Sequence, residues 1–121
     1  MAAVDLWHYT CDHGLAGITA DGFVKPNLNP VLTDAHSDLV MLAWFTDLDA
    51  PFEEALGLSS FSLECDRKAY RFAVLEPEKC TPWVKVRSTY PRAAVAALEE
   101  SPGAMPMHWW VAAGPVGAVR A

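Results

Sequence analysis

Three short stretches concentrate side chains that could do chemistry: "WHYT" at 7–10, "AWFT" at 43–46 and "HWW" at 108–110. They hold four of the five tryptophans, Trp7, Trp44, Trp109 and Trp110, together with His8, Tyr9, Thr10, Thr46 and His108. Aromatic rings with a few polar tips suit a pocket for a flat, hydrogen-bonding ligand. A histidine in such a pocket can take or give a proton near neutral pH. The competing account is structural. Tryptophans are usually core residues, and a histidine at a strand end can be satisfied by backbone.

Other constellations are weaker. His8, Cys11 and His13 lie close in sequence, and "DAHSD" offers Asp34, His36 and Asp38. Residues five apart on a strand point to opposite faces, and no C-x-x-C pair is present, so no metal site is expected. Cys11 precedes a helix, whose N-terminus could lower a thiol pKa, but Asp12 and an acidic first half oppose a thiolate. In "CDRKAYRF", Arg67 and Arg71 share one strand face and could grip a pyrophosphate.

The elements that must position these groups follow from pattern. Val4–Thr10 is rich in β-formers and reads as a first strand. Asp12 can cap a helix over 13–21 with Leu15 and Ile18 inward, stopped by Gly22. Phe23 and Val24 form a short strand, and "KPNLNPVLTDAHSD" reads as a long loop. "LVMLAWFT" is a buried strand, and "PFEEALGL" one or two helical turns. "KAYRFAVL" and "PWVKVR" read as strands, "PRAAVAALEE" as a helix, and "HWWVAA" and "GAVR" as closing strands. Helices do not alternate regularly with strands. The expected fold is therefore α+β: one small domain over 1–121, with a bent or split, mostly antiparallel sheet and two or three short helices.

Composition bounds the function. The chain has 121 residues and a net charge of −6. Residues 1–60 carry one cation against nine acids, and residues 61–121 eight cations against six acids. Bulk nucleic-acid binding is not expected of so acidic a protein. A local anion site in the second half could draw on Arg67, Lys68, Arg71, Lys85, Arg87 or Arg92. No apolar run nears the roughly 20 residues of a membrane span. The first residues lack a basic n-region and an apolar h-region, so no signal peptide is expected. Three irregularly spaced cysteines predict reduced thiols in a cytoplasmic protein.

"LWHYTCDHGLAGITADGFVKPN" resembles the opening of many small ADP-ribosyltransferase-like domains. In those, a His-Tyr-Thr or similar triplet ends the first strand, and a short "xxxLxxIxxxG" helix follows. "LAWFTDL" resembles their second signature, a strand ending in a hydrophobic residue and a Ser or Thr. The resemblance covers about residues 5–47. It implies an NAD-binding cleft where the sheet splits. His8 would hold a ribose hydroxyl, with Tyr9 and Thr10 beside it. Thr46 would line the site next to Trp44. Arg71, from its strand position and not from the resemblance, is the expected grip on the NAD pyrophosphate. The family's third-strand Glu has no obvious counterpart here: "MHWWV" offers His108, and Glu64 is the alternative acid. NAD would be the substrate, with nicotinamide leaving and an unknown acceptor. The alternative is a non-catalytic module that binds a nucleotide, ADP-ribose or a protein on the same fold. An RNA 2′-phosphotransferase-like activity is a third option, disfavoured by the net charge.

Overall fold

The computed structural model describes residues 5–10, 12–28, 41–49, 70–100 and 103–121. The strands are β1 Trp7–Thr10, β2 Phe23–Val24, β3 Asn27–Leu28, β4 Met41–Thr46, β5 Tyr70–Val74, β6 Thr81–Pro82, β7 Trp109–Ala112 and β8 Val116–Arg120. The helices are α1 Asp12–Asp21, α2 Trp83–Val86 and α3 Arg92–Glu99. Every strand pair is antiparallel, and the order is β2-β8-β5-β1-β4-β7-β6, with β3 attached to β4. The fold is α+β. Among the described residues no helix is long and apolar enough to cross a membrane.

Strand alternation builds two cores. Ala43 and Phe45 of β4 join Leu6, Phe72, Ala112 and Val116 in one cluster, which Ile18 of α1 covers. Leu42 and Trp44 of the same strand point the other way, toward Trp83, Val95, Trp109 and Val111. Successive strand residues face opposite sides, so the two clusters lie on opposite faces of the sheet. α1 ends as its sequence implies: Gly22 takes φ +75° and its N–H bonds Ile18 O at 2.8 Å. That left-handed conformation suits glycine. On β8, Gly117 donates its N–H to Glu76 Oε1 at 2.8 Å, an approach that a β-carbon would crowd at 2.9 Å.

Two stretches differ in type from their sequence pattern. Asn27–Leu28, expected in a loop, forms β3 because its backbone pairs with Leu42 and Met41 of β4. "PWVKVR" alternates like a strand, but only Thr81 and Pro82 pair with β7, and Trp83–Val86 is helical. A strand would place Trp83 and Lys85 on one face, burying a cation with the indole. The helical turn instead sends Trp83 inward with Val86 and leaves Val84 and Lys85 outside. Trp83 is 0% exposed. Burying a side chain of that size contributes about 2–3 kcal/mol, more than a two-residue extension of an edge strand would supply. "HWWVAA" is also shorter than its pattern, because Pro106–His108 is a 3-10 turn and the strand starts at Trp109. The helix expected in "PFEEALGL", most of the 25–38 loop, Cys11, Cys65, Arg67 and Lys68 lie outside the described residues.

Candidate active site

β1 and β4 are neighbours for only part of their length. β1 pairs with β5 through all four residues, but with β4 only at Trp7↔Thr46. The first half of β4 pairs with β3 instead, at Met41 and Leu42. The sheet thus parts beyond Trp7, and His8 stands at the parting. Its Nδ1 lies 2.8 Å from the backbone oxygen of Trp44, and its ring lies 5.7 Å from that of Phe45. A carbonyl oxygen can only accept, so Nδ1 carries the hydrogen and Nε2 of the neutral ring is an acceptor. Burial lowers the His8 pKa, and the bond to Trp44 opposes that shift more weakly. The ring is therefore neutral at pH 7.

A second polar group forms where β4 ends and β7 begins. Asp47 Oδ1 accepts a 2.7 Å bond from His108 Nδ1, and Asp47 Oδ2 accepts a 3.3 Å bond from Trp110 Nε1. The backbone repeats the link, with Asp47 N–H donating to His108 O at 3.3 Å. All three side chains are half-buried. The carboxylate accepts from Nδ1–H and so fixes the ring plane, and in a neutral ring held this way Nε2 is the acceptor. A carboxylate–imidazole pair held this way can take a proton from a hydroxyl or water, with the carboxylate stabilising the resulting imidazolium.

Three residues expected to bind cofactor have structural partners. Tyr9 Oη donates to Leu48 O at 3.2 Å, and Thr46 Oγ1 accepts from Leu48 N–H at 3.1 Å. Arg71 pairs with Asp49 and lays its guanidinium 4.2 Å over the Trp7 ring. Together they tie down residues 47–49, the segment that presents Asp47 to His108. Trp44 packs 5.1 Å from Trp83 and 5.9 Å from Trp109, on the sheet face opposite His8 and Phe45. His8 therefore meets the Trp44 backbone, not its ring, and the two side chains do not share one wall. Thr10 is half-buried at the end of β1 in register with Tyr70. Glu64 lies outside the described residues.

Asp47 is the site residue that sequence reading passed over. It follows Thr46 in "AWFTDL", and its signal is a carboxylate at a strand end that faces a histidine once β4 and β7 pair. Among the described residues no group of three His, Cys, Asp or Glu side chains converges to hold a metal ion. Compared with known proteins, the chain matches no family model, no curated protein and no solved structure.

Proposed function

We propose that the protein is an ADP-ribosyltransferase-like enzyme that binds NAD where β1 and β4 part. The observation that carries this reading is the parting itself, with His8 bonded across it through Nδ1 and its Nε2 left as an acceptor. The "LWHYT" resemblance expects a ribose-binding histidine there. Neutral His8 would accept a hydrogen from a ribose hydroxyl through Nε2. His108 would act as general base. As the bond from ribose C1′ to nicotinamide breaks, its electron pair leaves with nicotinamide. A hydroxyl or water oxygen bonds to C1′, and its proton passes to His108 Nε2. Asp47 orients the ring and balances its new charge. General-base help of this kind is worth on the order of 10²–10⁴-fold in rate.

The test is calorimetric titration with NAD, ADP-ribose and nicotinamide, alongside nicotinamide release with and without cell extract as acceptor source. The reading requires NAD binding that weakens in His8→Ala, and release that is lost in His108→Ala. If none of the three ligands binds, it fails.

A second reading has its own observation. Tyr9, Thr46 and Arg71 already have partners around residues 47–49, which leaves His8 as the polar grip on a nucleotide. That favours a non-catalytic module holding ADP-ribose or a related nucleotide. ADP-ribose binding with no nicotinamide release under either condition would select it.

A further inference from the structure

Arg87 and Arg92, two of the cations that could build an anion site in the second half of the chain, come together on one groove. The groove measures about 270 Å³ and is lined by Arg87, Ser88, Tyr90, Arg92 and Val95. Arg87 is held in place: its Nε and Nη2 donate to the two oxygens of Glu99 at 2.9 and 2.8 Å. Trp83 Nε1 donates to the same carboxylate at 2.7 Å. Glu99 is thus occupied on both oxygens, while the Nη1 edge of Arg87 is not used by it. Arg92 forms no ion pair with the described residues. The Tyr90 ring is braced by stacking on Trp83 at 5.8 Å and 19°.

We infer that this groove is a binding site for a phosphate monoester. Two guanidinium groups from different elements flank it, and guanidinium forks match phosphate oxygens in geometry and charge. Ser88 adds a hydroxyl. Tyr90 and Val95 add an apolar wall for the organic part of an ester. Arg87 costs little to organise because Glu99 already orients it. The groove shares no lining residue with the Asp47–His108 pair, and the inference does not depend on the NAD reading.

The experiment is a titration of the ¹⁵N-labelled protein with inorganic phosphate, phenyl phosphate and phenol at low salt. Saturable amide shifts at Ser88, Tyr90 and Arg92 are expected with phenyl phosphate by roughly 10 mM, where a site of about 1 mM affinity is mostly filled. Arg92→Gln, an exposed change that leaves the fold intact, should weaken binding by about tenfold, and Arg92→Lys should restore part of it. Inorganic phosphate should bind more weakly than the ester; equal affinity would overturn the ester assignment. Phenol shifting the same amides as strongly would overturn the anion site, as would an absence of saturable shifts with either phosphate.

Discussion

Asp47 and His108 lie 61 positions apart in the chain, yet Oδ1 and Nδ1 sit 2.7 Å apart. The pair is fastened from behind by Tyr9, Thr46 and Arg71, which hold residues 47–49 against the sheet. Side chains at the parting of β1 and β4 thus divide their work. His8 keeps an acceptor nitrogen, while its neighbours brace the segment that orients His108.

Asp47→Asn should test that orientation. An amide can offer its nitrogen to the ring and select the wrong tautomer, and it cannot balance an imidazolium. Under the proposed NAD reaction, nicotinamide release should fall on the order of 10²–10⁴-fold while NAD affinity changes little. The double variant with His108→Ala should be no worse than His108→Ala alone, because the two act as a unit. Additive losses would show that Asp47 does not work through His108.

The pH dependence of stability should carry a His8 component. Its pKa is lowered in the folded state from an ordinary value of 6.5, chiefly by burial. Its contribution is complete above about pH 6.5. Below that the unfolded chain takes up a proton that the folded one refuses, so stability falls until the pH passes the lowered value and then levels off. Urea denaturation at about pH 8 and about pH 5 should show a loss that shrinks in His8→Gln. An equal loss in both proteins would assign the effect to other groups.

Cys80 should resist alkylation. It is buried, and burial followed by the nearby Glu78 charge pushes its thiol pKa up to about 11. The thiolate is the reactive form and is scarce at neutral pH. Mass spectrometry of peptides after iodoacetamide treatment should find Cys80 modified only when denaturant is added. Rapid labelling of the native protein would contradict the burial.

Trp83 should dominate stability on its face of the sheet. Trp83→Ala should cost about 3–5 kcal/mol through lost burial and a cavity beside Trp44 and Tyr90. Trp83→Phe keeps an aromatic ring but drops the N–H bond to Glu99, and should cost clearly less. Chemical denaturation of the three proteins ranks them. A neutral Trp83→Ala would mean that the helical turn at 83–86 is not held by its indole.

Local pattern settled much of this molecule. The alternation in "YRFAV", the apolar run "MLAWFT", and the Leu15, Ile18 and Gly22 spacing of the first helix each correspond to an element of the expected type. Those signals are legible because burial on one face repeats with the period of the backbone. In "WHYT" and "MHWWV" the sequence singles out His8, chiefly through the family resemblance, and His108 as candidates. Tertiary packing decided the rest. "PWVKVR" has the period of a strand, but the Trp83 indole packs into one apolar cluster with Trp44 and Trp109, and Trp83–Val86 is helical. The acids at the end of α3 look unfavourable beside the helix dipole, yet Glu99 is matched by Arg87 and Trp83. Asp47 gained its meaning only when β4 and β7 paired, and His8 and the Trp44 ring were separated only when the pleat put them on opposite faces. Such relationships join residues dozens of positions apart, and no local period encodes which distant side chain will arrive opposite.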